Sequence, residues 1–260
     1  AETLALVADI PAVYGDGKLS KVVGLADAAG SRFVFSLFDA GEIWVADMSD
    51  PAHPVVSRFP AGKQPYDALI TPNGRYYIAG LFGEDGLALL DLWHPEQGVR
   101  HILEGYGQGE QKLPVYKMPH LRGWAIAGTR AYLPAIGHHE LLVVDTQSWQ
   151  EVGRVPLLGQ PVFAMAQPDG KKVWVSFAYP DNQHVQIVDT ESGKITQTLE
   201  PGRAVLHLEF TPRGEAVWIS SRDDNKVTIY DTASLEKLAE LPAAAPSGIF
   251  FTSRANRVGF

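Results

Sequence analysis

The residues of this chain best suited to chemistry are cations and hydroxyls set between apolar runs. Lys21, Tyr66, Lys117, His120, Arg122 and Arg203 lead into apolar runs, while Asp39, His138, His139, His184 and Arg222 lie between others. The chain as a whole is acidic, with 22 Lys and Arg against 30 Asp and Glu and a formal net charge of -8. An acidic chain that gathers cations at such points suggests a carboxylate-bearing ligand, since ammonium and guanidinium groups pair with carboxylates through charge-assisted hydrogen bonds. The same balance argues against nucleic acid, whose binders carry a basic stripe. There is no cysteine, which removes disulfides, thiolate metal ligands and thiol nucleophiles together. His138 and His139 are adjacent and point apart, so one metal does not take both, and no metal site is expected. Gly105, Gly107 and Gly109 follow no strand-to-helix pattern and are not a dinucleotide fingerprint. Neither a Gly-x-Ser-x-Gly elbow nor a His-Glu-x-x-His helix occurs.

The elements that position these residues repeat about every 44 residues: an apolar run, a Pro-x-Gly type turn, a second apolar run, then a third ending in Asp. The turn glycines Gly30, Gly74, Gly128, Gly170 and Gly214 are spaced 44, 54, 42 and 44. The closing aspartates Asp47, Asp91, Asp145, Asp189 and Asp231 are spaced 44, 54, 44 and 42. Two independent landmarks on one beat mean stacked or radial four-stranded units, so residues 1–260 read as one all-β domain, a β-propeller. Complete blades are expected over 22–60, 65–104 and 119–157, with two more centred on Val162–Leu199 and Leu206–Thr232. Leu4–Ile10 reads as an outer strand whose blade lies upstream, and Gly248–Thr252 as an inner strand with no outer strands after it. The expectation is five complete blades, partial terminal blades, and a parent with further blades before Ala1. No apolar run approaches the roughly 18 residues that span a bilayer, and Ala1–Leu4 does not open a signal peptide.

In a propeller, the loops leading into each inner strand and those joining the second and third strands share a face, and ligands are expected there. The stretch Gly105–Arg122 breaks the beat by ten residues and carries Tyr106, Tyr116, Lys117 and His120, which makes it a site candidate. Each closing Asp is expected to bond the backbone of its own turn. His207 alternates with apolar neighbours on an inner strand and either points into the axial channel or is a satisfied buried histidine. Trp44, Trp174 and Trp218 sit in register on second or third strands, where packing between blades explains them.

Longer strings go beyond a generic propeller: Phe35–Trp44 (FSLFDAGEIW), Gln64–Ile70 (QPYDALI), Gly80–Gly86 (GLFGEDG), Leu113–Trp124 (LPVYKMPHLRGW) and Pro246–Ala255 (PSGIFFTSRA). Over essentially its whole length the chain resembles the NirF family of haem d1 biosynthesis proteins, related to the haem-d1 propeller domain of cytochrome cd-type nitrite reductase. The resemblance implies an eight-bladed parent in the periplasm that binds haem d1 or its dihydro-haem d1 precursor. It also implies a late maturation step, with nitrite reductase and a d1-maturation dehydrogenase as partners. On it, Lys21, Arg122, Arg203 and Arg254 are carboxylate partners, with Tyr66 and His207 also at the cofactor. Tyr116 and His120 lie on the distal side, and Asp16 and Asp39 are either a general base or Asx-turn residues. The resemblance places the proximal iron ligand in the N-terminal region of such proteins. A non-catalytic carrier, and a propeller for protein interaction or lactone hydrolysis, are the alternative functions.

Overall fold

The computed structural model describes residues 5–106, 124–135, 138–249 and 251. The chain divides into two compact units, residues 1–112 with 258–260, and residues 113–257.

The first unit opens with a small hairpin, β1 (Val13–Tyr14) and β2 (Lys18–Leu19). Two four-stranded antiparallel sheets follow: β3 (Val22–Ala28), β4 (Arg32–Leu37), β5 (Glu42–Asp47) and β6 (Val55–Pro60), then β7 (Pro65–Ile70), β8 (Tyr76–Leu81), β9 (Leu87–Asp91) and β10 (Val99–Ile102). In each sheet the strands neighbour one another in chain order, the meander of a propeller blade. Their facing sides close one core of Val34, Ile43, Ala68, Tyr77, Leu81 and Leu90. Second and third strands bury continuous runs, as in β9, because both faces are covered. The fourth strands face water, as β6 shows.

The second unit holds three such sheets. They are β11 (Ala125–Ala127) to β14 (Gln150–Pro156) through β12 (Arg130–Ala135) and β13 (Glu140–Asp145); β15 (Pro161–Ala166), β16 (Lys172–Phe177), β17 (Val185–Asp189) and β18 (Lys194–Leu199); and β19 (Val205–Phe210), β20 (Ala216–Ser221), β21 (Lys226–Asp231) and β22 (Lys237–Pro242). Two cores bind them, one around Tyr132, Leu141, Val175 and Phe177 and one around Trp174, Ile187, Val217 and Ile219. Trp174 is fully buried and meets Phe210 edge to face at 5.7 Å, the packing role expected for it. Trp44, likewise buried, lies 6.0 Å from Phe35 in the first unit.

The five sheets match the five complete repeats, and both landmarks act locally. Gly30, Gly74, Gly128, Gly170 and Gly214 all have positive φ. The closing aspartates accept hydrogen bonds from their own turns: Asp47 from Ser49 N at 2.8 Å, Asp145 from Ser148 N at 2.7 Å, Asp189 from Ser192 N at 2.7 Å and Asp231 from Ser234 N at 2.8 Å. The terminal strands are different. Residues 5–10 form no strand, and none is present over Gly248–Ile249, where Ile249 N instead donates to His207 Nδ1 at 3.1 Å.

Gly170 has φ +72 with no atom closer than 3.9 Å to a Cβ built there, so backbone strain alone should set the cost of a side chain. Gly170→Val is expected to lower stability by about 1–2 kcal/mol, read as a lower midpoint in urea unfolding with an unchanged slope. Asp189 is held below the usual carboxylate range by the Ser192 hydroxyl and then by its backbone N–H. Its contribution is therefore present above the ordinary carboxylate pKa and is lost as pH falls through the depressed value. Asp189→Ala should lower the melting temperature at neutral pH and reduce its fall on acidification.

Candidate functional site

In each sheet the loop leading into the first strand and the loop between the second and third strands lie at the same end. In the first unit this end carries a cluster of three half-buried rings: Phe38, Tyr66 and Phe82. Ring centroids are 6.1 Å apart for Phe38–Tyr66, 6.1 Å for Phe38–Phe82 and 5.9 Å for Tyr66–Phe82, with interplanar angles of 77°, 51° and 47°. Phe38 and Phe82 are equivalent, each being the first residue after a second strand, β4 or β8. Tyr66 is lifted toward them by a bulge in β7, whose register shifts between Pro65 and Ala68. The Tyr66 hydroxyl has no hydrogen bond among the described residues.

The ammonium of Lys21 lies 4.7 Å from the Phe38 ring centroid, within cation–π range. Asp39 holds it there. Lys21 N donates to Asp39 Oδ2 at 2.9 Å and Lys21 Nζ to Asp39 Oδ1 at 3.2 Å. Ser20 Oγ accepts from Asp39 N at 2.9 Å, and Phe38 N donates to Lys21 O at 3.0 Å, so the two loops are stapled together. Asp39 is thus neither a self-contained Asx turn nor an unpaired carboxylate. The Lys21 backbone N–H, then its ammonium, hold its carboxyl below the usual range, which makes it a weak base. The neighbouring sheet repeats the staple: Lys63 N donates to Glu84 Oε1 at 2.8 Å, Phe82 N to Gln64 O at 2.9 Å and Gly83 N to Lys63 O at 3.1 Å.

Asp16 is on a different element. It is exposed at the tip of the β1–β2 hairpin between Gly15 and Gly17, and its carboxylate accepts no hydrogen bond among the described residues.

In the second unit, Arg203 repeats the Lys21 arrangement at the start of β19. Its N and Nε both donate to Asp224, each at 2.7 Å. The Arg203 backbone N–H and then its guanidinium hold the Asp224 carboxyl below the usual range. His207 lies in the bulge of β19. Its Nδ1 accepts from Ile249 N at 3.1 Å and its ring meets Phe163 edge-on at 6.0 Å, while its backbone N–H donates to Ser220 Oγ at 3.0 Å. An accepting Nδ1 leaves the proton of a neutral ring on Nε2.

Lys21 and Tyr66 are therefore brought together, while Arg203 and His207 share the leading end of β19. Tyr116, His120, Arg122 and Arg254 lie outside the described residues. Phe38, Phe82 and Lys63 were not singled out from the sequence. The signals were present: an aromatic directly after two successive second strands, and a Gly-cation pair, Gly62–Lys63 and Gly202–Arg203, before two inner strands. Among the described residues no group of three or more His, Cys, Asp or Glu is placed to hold a metal ion. No helix there is long and apolar enough to cross a membrane.

Three rings, one of them the Tyr66 phenol, with the Lys21 ammonium over Phe38, suit a flat, partly apolar, anionic molecule. The family model for the cytochrome D1 heme domain matches residues 1–255. Protein NirF of Pseudomonas aeruginosa is 56% identical over 262 residues, covering all of this chain and 67% of that protein. The dihydro-heme d1 dehydrogenase of the same organism is 26% identical over 269 residues, and the chain spans 52% of its length. Among solved structures, dihydro-heme d1 dehydrogenase NirN in complex with DHE superposes with a TM-score of 0.75 at 24% identity, over 92% of this chain and 51% of that one. That likeness shows a common fold.

Asp39 and Asp224 both have lowered carboxyl pKa values relative to 3.8. Their staples should hold above the ordinary carboxylate range and open as pH falls through the lowered values. Asp39→Asn and Asp224→Asn are each expected to lower the melting temperature at pH 7 and to flatten its decline below about pH 4, as followed by circular dichroism across a pH series.

Proposed function

The chain belongs to the cytochrome D1 heme domain family and to its NirF proteins, and from that premise we propose that it binds haem d1 or its dihydro-haem d1 precursor in a late step of haem d1 biosynthesis. The observation that carries this reading is the ring cluster of Phe38, Tyr66 and Phe82 with Lys21 over one edge. A modified tetrapyrrole is flat, largely apolar across its face and carboxylated at its rim, and such a patch matches each property. When bound, the iron macrocycle supplies the electron chemistry. The chain's own residues bind and orient it: Phe38, Tyr66 and Phe82 cover apolar surface and exclude water, and the Tyr66 hydroxyl serves as a hydrogen-bond donor or acceptor. Lys21 faces the rim, and Arg203 in the second unit is proposed for the same role. Arg122 and Arg254 are further proposed carboxylate partners, with Tyr116 and His120 on the distal side.

Between an enzyme and a holder that passes the macrocycle on, one observation favours the holder. Asp39, the carboxylate nearest the ring cluster on its own loop, is occupied by two bonds from Lys21 and is a weak base. Asp16 is exposed at a hairpin tip, where its carboxylate accepts no hydrogen bond among the described residues. The proposed recipients are a dihydro-haem d1 dehydrogenase and nitrite reductase, and the proposed compartment is the periplasm.

The test is a titration of the purified protein with haem d1 followed by visible absorption. The expected result is a saturable spectral shift that Phe82→Ala weakens about tenfold, the equivalent of ~1.4 kcal/mol of lost aromatic contact, with an unchanged melting temperature. Recovery of the macrocycle with unaltered mass after incubation supports the holder, whereas an altered mass establishes an enzyme. No spectral shift with the unaltered protein overturns the reading in favour of a propeller for protein interaction or lactone hydrolysis.

A further inference from the structure

Three cations occupy the same place in their sheets, one or two residues before an inner strand: Lys21, Lys63 and Arg203. Each donates its backbone N–H to a carboxylate on the following inter-strand loop, Asp39, Glu84 or Asp224. In two of the three the same carboxylate also takes the side chain, with N–O distances of 3.2 Å for Lys21 and 2.7 Å for Arg203. Such a pair is close to neutral, and its carboxylate repels an approaching anion as its cation attracts it. Lys63 departs from the pattern. Glu84 takes its N–H, yet the Lys63 ammonium has no carboxylate within the 4.0 Å of an ion pair among the described residues.

Glycines let the two loops here approach closely. Glu84 Oε1 is lodged against the backbone of Gly62, where any Cβ would collide with it. A Cβ on Gly83 would fall 2.8 Å from the Lys63 Cβ, so the loops approach this closely only with glycine there. The close approach sets Lys63 against the residue that follows Phe82, at the border of the ring cluster. An exposed lysine with no ion pair among the described residues, set against the residue that follows Phe82, is a receptor for a carboxylate on the rim of a flat apolar molecule.

We propose that Lys63 is the residue that selects the carboxylated form of the ligand on this patch, with Lys21 fixed by Asp39 as a rim to the rings rather than as the principal carboxylate partner. The inference rests on the tetrapyrrole reading above and adds to it a specificity-determining residue.

The probes are haem d1 and the same macrocycle with its carboxyl groups converted to methyl esters, each titrated into the intact protein at several salt concentrations. Lys63→Gln is expected to weaken haem d1 binding by about tenfold and to reduce its salt dependence. It should leave binding of the ester and the melting temperature unchanged, and Lys63→Arg should restore most of the affinity. Lys21→Gln is expected to weaken haem d1 binding less than Lys63→Gln does, because Asp39 already offsets the Lys21 charge. Unaltered haem d1 affinity in Lys63→Gln, an equal loss for the ester, or a larger effect from Lys21→Gln overturns the proposal while the tetrapyrrole reading stands. If the unaltered protein binds neither macrocycle, that reading falls and takes the proposal with it.

Discussion

The second and third strands of each sheet are apolar on both faces, and everything else in the structure answers to that. Val34, Ile43, Tyr77, Leu81, Val173, Trp174, Ile187 and Val217 are essentially without solvent exposure, each contributing on the order of 1.5–3 kcal/mol when fully covered. A single sheet with two such faces has nothing to cover the second one, so neighbouring sheets must stack. Stacking sends most charged groups to the outer strand, where β18 is exposed along nearly its whole length, and to the ends of the sheets. The loops at those ends inherit the chemistry because the strands between them have no room for it.

Sheet ends create a second demand, since the backbone there leaves the ladder and its N–H groups still need partners. At one end the closing aspartates meet it through turns of two or three residues. At the other, inter-strand carboxylates reach back to the leading loops, Asp39 to Lys21, Glu84 to Lys63 and Asp224 to Arg203. Much of the excess acid is therefore committed to backbone donors. A net charge of -8 is compatible with a face that accepts anions, because those carboxylates are already satisfied and the charge that decides binding is the local one.

How far the sequence could be read follows from the range of each interaction. The glycine and aspartate beats were legible because each landmark acts within its own turn, so residue type and spacing carry the information whole. Lys21 and Arg203 were legible as loop residues by their position in the beat, whereas Tyr66, read the same way, lies inside β7 at its bulge. The Asp39–Lys21 staple was not, because its partners are 18 residues apart and the string Phe38–Gly41 reads equally well as a local turn. Phe38 and Phe82 were absorbed into the apolar runs they follow, and only three-dimensional register separates a ring that packs between sheets from one that stands at their end. Lys63 escaped notice for a related reason: its significance lies in a missing side-chain partner, and absence of a partner has no sequence signature. The terminal segments show the converse, since alternation over Leu4–Ile10 suggested a strand and residues 5–10 form none.

Asp39 shows how one residue type takes opposite roles according to what surrounds it. A carboxylate serves as a base when its surroundings disfavour its charge, raising its proton affinity toward the working pH. Here the surroundings do the reverse: an N–H and an ammonium stabilise the anion, and the proton affinity falls. The same two bonds remove freedom from Lys21, whose flexible stem otherwise has to be ordered when a ligand arrives. The arrangement exchanges basicity for pre-organisation. It suits a site whose task is to hold a charged, rigid molecule in one orientation, with the reactive electrons residing in what is bound.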